Sequence, residues 1–244
     1  MKSTNGCAVQ TEKLEKRFGN FYAVKNLDLA VEAGEIFGFL GANGAGKTTA
    51  IRMLCGLLLP SGGKGTVAGF DIWRENEKIK QRIGYMSQKF SLYNDLTLAE
   101  NIEFYGGVYG LTREQIHTQR KRLLDELGLA EQADRLTRDM PLGFKQRLAL
   151  GCALLHDPQI IFLDEPTGGV DPEARRNFWD LIYRLADAGK TVFVTTHYMD
   201  EAEYCNRVSI MYQGEIIALD TPQALKREFK QTSMQDVFIH LVDR

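Results

Sequence analysis

Hydrophobic and polar positions alternate in short runs over residues 7 to 40: "CAVQTEK", then "VKNLDLAVEAGEIFGFLG", where Ala33-Gly34 marks a turn and "EIFGFL" reads as a short buried strand. Glycines then punctuate the chain. Residues 41 to 56 run from a glycine-rich loop into a helix that closes at Gly56, with Pro60 beyond it. From about 91 to 157 the strand pattern disappears, and helices open at Thr97, followed by Glu100, and at Thr112, followed by Gln115, the spacing of a capping box. Strand-like runs return at "QIIFLD" and "TVFVTT", separated by a helix that starts at Asp171-Pro172 and ends before Gly189. That alternation predicts a parallel sheet. "RVSIMYQGEIIAL" reads as a hairpin about Gln213-Gly214, with one helix behind Thr221-Pro222 and a last one behind Ser233. Met234, Val237, Phe238 and Leu241 share a face of that last helix, an amphipathic element expected to dock on its own domain or on a partner.

One helical run begins oddly. In "MPLGFKQRLALGCALLHDP", residues 140 to 158, Leu148, Cys152 and Leu155 recur at helical spacing from Gly143 onward, and Asp157-Pro158 ends the run. Its entry offers no Ser, Thr, Asn or Asp to accept bonds from the free amides of the first turn. Either an anion or an ordinary glycine turn must account for them.

A length of 244 residues suits one large domain, or a domain with a subdomain, and is ample for a core. Thirty basic against 32 acidic residues leave a net charge of -2, so the electrostatic footprint of a nucleic-acid binder is missing. The four cysteines, Cys7, Cys55, Cys152 and Cys205, are scattered without a Cys-x-x-Cys pair, so neither a disulfide nor a zinc site is expected. No apolar run approaches the roughly 18 to 20 residues of a membrane span, and "MKSTNGCAVQ" lacks a signal-peptide core, so any membrane role is expected to be peripheral. Trp73 and Trp179 are expected in the core. His117, His156 and His240 are expected in plain surface or helix-end roles, without partners at ligand spacing.

Candidate chemistry begins at "GANGAGKTT", Gly41 to Thr49, which matches the phosphate-binding pattern G-x-x-x-x-G-K-[ST] and lies between a strand and a helix, where that loop must sit. Its glycines let backbone amides converge on the β-phosphate, Lys47 can reach the β and γ oxygens, and the Thr48 hydroxyl can hold Mg²⁺. "IIFLDE" is an apolar strand ending in two carboxylates, which are costly to bury without a cation or water network. Asp164 suits a water-mediated Mg²⁺ contact, and Glu165 suits a base or positioner for an attacking water. His197 closes "TVFVTTH" and Gln88 closes "RIGYMSQ". Parallel sheets bind ligands at the carboxyl ends of their strands, and Lys47, Gln88, Asp164, Glu165 and His197 all follow such ends.

The order of phosphate loop, Gln88, helical insert, "IIFLDEPT", "GGVD" and "TTH" resembles the nucleotide-binding domain of ABC transporters over essentially the whole chain. The resemblance implies an α/β P-loop NTPase: a RecA-like core with parallel sheet, an antiparallel β subdomain and an α-helical subdomain. It places the core with its β subdomain at 7–90 and 158–222, the helical subdomain at 91–157 and a helical tail at 223–244. It further implies ATP and Mg²⁺ as ligands, with Phe18 of "LEKRFGN" stacking on adenine and Gly41, Ala42, Asn43, Gly44, Ala45, Gly46, Lys47, Thr48 and Thr49 as Walker A. Gln88 becomes the Q-loop residue that senses Mg²⁺ and the γ-phosphate, Asp164 and Glu165 the Walker B aspartate and catalytic glutamate, Asp171 a D-loop residue and His197 the switch histidine.

Within the family, "THYMDEAEYCNRVSIMYQGEIIALDTP" and "SMQDVFIHL" resemble the ATP-binding proteins of ABC-2 type, drug-resistance-like exporters. "PLGFKQRLAL" and "MSQKFSLYNDLTLAENIEFYGGVYGL" resemble the second half of tandem fusions in that group, although a separately encoded relative fits equally. The resemblance implies a polytopic ABC-2 type membrane subunit and a second ABC ATPase domain as partners, no nucleic acid, and a peripheral place on the cytoplasmic side of the plasma membrane. The family's Leu-Ser-Gly-Gly-Gln signature aligns with Met140, Pro141, Leu142, Gly143 and Phe144, so the serine and first glycine are lost, and Gly168 stands where a serine is usual. A soluble, non-transport ABC ATPase is the rival. Near-neutral charge and the lack of a long coiled-coil insert between 91 and 157 weigh against it.

Overall fold

The computed structural model describes residues 6–89 and 91–243. In chain order its strands and helices are β1 (Cys7–Phe18), β2 (Phe21–Glu32), β3 (Ile36–Leu40), α1 (Lys47–Leu54), β4 (Gly62–Val67), β5 (Phe70–Asp71), α2 (Asn76–Lys80) and β6 (Ile83–Met86). Then follow α3 (Leu98–Val108), α4 (Arg113–Glu126), α5 (Leu142–Leu154), β7 (Ile160–Asp164), α6 (Pro172–Asp187), β8 (Thr191–Thr196), β9 (Arg207–Tyr212), β10 (Glu215–Asp220), α7 (Pro222–Glu228) and α8 (Met234–Val242). The strands form two sheets. One is antiparallel, in the order β2-β1-β4-β5, and the other runs β10-β9-β3-β8-β7-β6. All neighbours in the second are parallel except β10 on β9.

The large sheet is buried on both faces, which is why its strands are continuously apolar. Side chains alternate across it. Phe37, Phe39, Phe162 and Phe193 point to one face and pack ring on ring, with centroids 4.7 to 6.1 Å apart. They share a core with Ile51 and Leu54 of α1 and with Val9, Leu27 and Val31 of the antiparallel sheet. Ile36, Leu40, Ile161, Leu163, Val192 and Val194 point the other way, into a core completed by α5 and α6. One sheet thus joins two hydrophobic layers and exposes the carboxyl ends of its parallel strands along one rim.

Two capping boxes form as expected: Thr97 accepts from the Glu100 amide and Thr112 from that of Gln115, while each partner side chain returns to the cap amide. Asp171, Thr221 and Ser233 likewise accept amides at the starts of α6, α7 and α8. α8 docks on its own domain, with Met234 and Val237 fully buried and Phe238 and Leu241 packed against the same core. No helix among the described residues is long and apolar enough to cross a membrane. All four cysteines are free thiols.

One expectation needs correction. Trp179 is buried as expected, but Trp73 is 40% exposed and donates its indole N–H to the Gly63 carbonyl at 3.0 Å. His156 keeps the helix-end role expected of it: just past α5, its Nε2 lies 2.8 Å from the Ile83 carbonyl and its ring stacks on Tyr109 at 4.0 Å. The segment "GGKGTV" is a strand, β4, although its composition reads as loop. Its glycines permit close approach of β1, since a Cβ on Gly65 would stand 2.9 Å from the Gln10 carbonyl.

Candidate functional site

The chain leaves β3 at Leu40 and turns through Gly41 to Gly46 before α1 begins. Gly46 is the N-cap of α1, at φ 107°, and a Cβ there would lie 2.5 Å from the Ala23 carbonyl. Only glycine meets both demands. No side chain caps this helix, so its first amides remain free at the positive end of the helix dipole. The loop is braced from behind by the β9–β10 turn, where Gln213 and Gly214 both adopt positive φ and the Gly214 amide donates to the Ala45 carbonyl at 3.0 Å.

Lys47 is 4% exposed. Its ammonium donates to the carbonyls of Gly41 at 2.7 Å and Ala42 at 3.1 Å, and lies 3.5 Å from Glu165 Oε1. Burial pulls its pKa below the usual lysine value, against the opposing pull of Glu165. A buried cation with carbonyls and one carboxylate around it is poised for a more strongly anionic partner.

Behind it, Asp164 ends β7. Its Oδ1 accepts the hydroxyls of Thr48 at 3.1 Å and Thr195 at 2.7 Å, while Oδ2 is buried with no hydrogen-bond partner. Burial raises its carboxyl above the ordinary range, the two hydroxyls opposing. An orphaned carboxylate oxygen beside a threonine hydroxyl at a phosphate loop fits a divalent cation, directly or through water.

Glu165 is the hub. Its Oε2 accepts from Gln88 Nε2 at 3.0 Å and lies 3.2 Å from His197 Nδ1, while Oε1 faces Lys47. Its backbone is left-handed, φ 50°, unusual for a non-glycine residue. The Thr195 hydroxyl and carbonyl hold that conformation by accepting its amide at 2.9 and 3.2 Å.

Lys47, Gln88 and Glu165 line a cleft of about 450 Å³ with Phe18, Phe21, Ala23 and the rest of Asn43 to Thr49, while Asp164 and His197 stand behind it, in contact with Thr48 and Glu165. Phe18 is 51% exposed at its mouth, which rules out a core role, and the Lys16 ammonium lies 5.2 Å from its ring centroid. Predicted site residues from four separate sequence regions therefore converge on one place. Pro141, Leu142, Gly143, Phe144 and Asp171 do not line the cleft. They neighbour one another elsewhere: a Cβ on Gly143 would meet Ala174 at 3.2 Å, and one on Gly169 would meet Leu142 at 3.4 Å. α5 starts at Leu142 behind Pro141 with no side-chain cap, as its sequence implied, and Lys145 reaches back to the Arg138 carbonyl at 3.1 Å. The Arg147 guanidinium lies over the Phe144 ring at 4.4 Å.

Sequence reasoning missed Thr195, Phe21 and Gly214. Thr195 was legible as a hydroxyl two residues before His197. Phe21 was legible too, since the two-residue turn Gly19-Asn20 pairs it with Phe18, whereas Gly214 reaches the phosphate loop only through the fold.

Residues 24–168 match the family model described as "ABC transporter". Across 239 residues the chain is 48% identical to a probable multidrug ABC transporter ATP-binding protein of Escherichia coli, covering 96% of this chain but 41% of that relative. It is 40% identical to the linearmycin resistance ATP-binding protein of Bacillus subtilis, over 87% of this chain and 69% of the relative. Among solved structures, an ATP-binding subunit of an ABC transporter superposes with a TM-score of 0.85 at 25% identity, over 96% of this chain and 99% of that one. A dimeric ATP-binding cassette in a post-hydrolysis state, bound to ADP and Pi, matches with a TM-score of 0.79 at 26% identity, over 87% and 98%.

Proposed function

The chain belongs to the ABC transporter family as one of its ATPase domains, and from that premise we propose that it binds and hydrolyses ATP to drive an ABC-2 type exporter of drugs or other hydrophobic small molecules. The observation that carries the hydrolytic part is the Glu165 carboxylate, held among Lys47, Gln88 and His197 at the floor of the phosphate-loop cleft. Adenine stacks on Phe18, and the free amides of the loop receive the β-phosphate. Lys47 exchanges its carbonyl partners for β and γ oxygens, which releases Glu165 Oε1 to accept a proton from the attacking water. The water oxygen bonds to the γ-phosphorus as the bridge to the β-phosphate breaks, and His197 steadies the γ-phosphoryl group. Thr48, Asp164 and Gln88 are the residues that would hold Mg²⁺, whose charge offsets that of the phosphates.

The export reading is supported by what the relatives are called, among them the linearmycin protein above and a daunorubicin resistance ATP-binding protein of Streptomyces coeruleorubidus. Because the chain spans 41% of the E. coli relative, the activity and partners of a whole protein are inferred for it. Its partners in this reading are a polytopic membrane subunit and a second ABC ATPase domain, met at the cytoplasmic membrane face. Residues 140–144 would meet the γ-phosphate held by that second domain. Pro141 has no N–H to give, and Leu142 places a 40%-exposed side chain where a backbone must approach closely. One site of the pair is therefore competent and its reciprocal slow.

Glu165→Gln tests the catalytic assignment in the assembled complex: Mg-ATP binding is expected to persist while turnover falls about a thousandfold. Unchanged turnover overturns it. Co-purification with a polytopic membrane protein tests the export reading, and its absence from membranes returns the soluble ATPase.

A further inference from the structure

A ring of contacts outside the cleft closes back on the catalytic groups. Thr167, buried two residues after Glu165, donates its hydroxyl to Glu201 Oε1 at 2.6 Å. Glu201 is 0% exposed, and its other oxygen has no hydrogen-bond partner. Arg175, in the first turn of α6, brings its Nε within 3.6 Å of Glu201 Oε1 and a terminal nitrogen within 3.7 Å of Asp200. The same guanidinium lies over the Tyr198 ring at 4.1 Å. Tyr198 in turn packs its ring against His197, centroids 4.2 Å apart, and His197 faces Glu165. The Gly168 amide donates to the Glu165 carbonyl at 3.2 Å, so the turn that carries Thr167 is tied to the residue it started from.

A fully buried carboxylate with one orphaned oxygen is a poor stabiliser. Removal from water costs several kcal/mol per ion, and a guanidinium at 3.6 Å without a hydrogen bond recovers it incompletely. Such a group fits a registering role better than a stabilising one. Here it registers two segments: the turn between Glu165 and α6, and the segment following β8.

We propose that Arg175 and Glu201 are positioning residues that hold the Tyr198–His197 segment against Glu165, so that hydrolysis depends on them while nucleotide binding does not. The inference rests on the catalytic reading of Glu165 and His197. Because Asp171 caps α6 one turn before Arg175, a displacement of that exposed turn by a facing domain would reach His197 through this guanidinium.

The test uses the full chain with its partner for kinetics and the full chain alone for spectroscopy. Arg175→Ala and Tyr198→Leu are compared with Arg175→Lys, which keeps the charge but loses the planar stacking surface. The expected result is a kcat 10- to 100-fold lower in the first two, with KM and ATP binding within about twofold of the parent. The Arg175→Lys protein should fall between, and the His197 ring resonance should move in all three. If the parent turns over no ATP, the catalytic reading fails, and the His197 resonance alone then decides whether the ring positions that side chain. A folded Arg175→Ala protein with unmoved His197 signals overturns the proposal, as does equal loss of binding and turnover.

Discussion

Two helices in this chain begin on glycine-containing entries without a side-chain cap, and they have opposite fates. At α1, Gly41 and Gly46 take conformations and approaches closed to other residues, and Lys47 is buried with its charge directed at the loop. At α5, Pro141 occupies the cap position at an ordinary φ of -56°, Leu142 is exposed, and Gly143 sits within the helix with Ala174 close against it. Free amides alone do not make a phosphate site. The difference lies in what surrounds them: a braced loop, a buried cation and an acid at one entry, and a proline with an apolar side chain at the other.

Substitution at α1 is expected to do the most damage. Gly46→Val forces a branched side chain into left-handed space and against the Ala23 carbonyl, so thermal or urea unfolding should show a loss of about 3 kcal/mol or more, with nucleotide binding lost. Rebuilding the weaker entry gives the next effect. Pro141→Ser with Leu142→Gly should raise the turnover of the reciprocal site by about a hundredfold, read by single-turnover hydrolysis in an assembly whose other site carries Glu165→Gln. No gain would mean that 140–144 never meets a phosphate.

Asp164→Asn sharpens the contrast in the opposite direction. Its carboxyl is raised by burial, so between the ordinary carboxylate pKa and the raised one the folded protein holds a proton that the unfolded chain has lost. Stability therefore falls as pH rises through that window and stays lower above it. The asparagine variant is expected to melt a few degrees higher than the parent at neutral pH without nucleotide, an advantage that closes on acidification, while Mg²⁺-dependent ATP stabilisation disappears. The smallest effect belongs to Gly143→Ala. Its Cβ would press on Ala174 at 3.2 Å while gaining helix propensity, so unfolding should change by less than about 1 kcal/mol.

Motifs whose chemistry is local were legible in the chain. The phosphate loop, both capping boxes and the strand-end acids each depend on residues a few positions apart, and the shared face of Phe37 and Phe39 follows from a strand's period of two. β4 was not legible, because its glycines answer to a neighbouring strand rather than to their own sequence context. Trp73 was misjudged for a related reason: hydrophobicity favours burial, but the indole found a carbonyl on an exposed edge.

Local order along the chain places a phosphate loop, two adjacent acids, a glutamine and a histidine each after a strand. Tertiary structure decided that Lys47, Gln88 and His197 meet on one carboxylate, that Thr195 holds Glu165 in its left-handed turn, and that Gly214 buttresses the loop. The physical reason is that strand order in a parallel sheet is set by packing between distant segments. Residues more than 100 positions apart become neighbours through that order, and no periodicity within either segment records it.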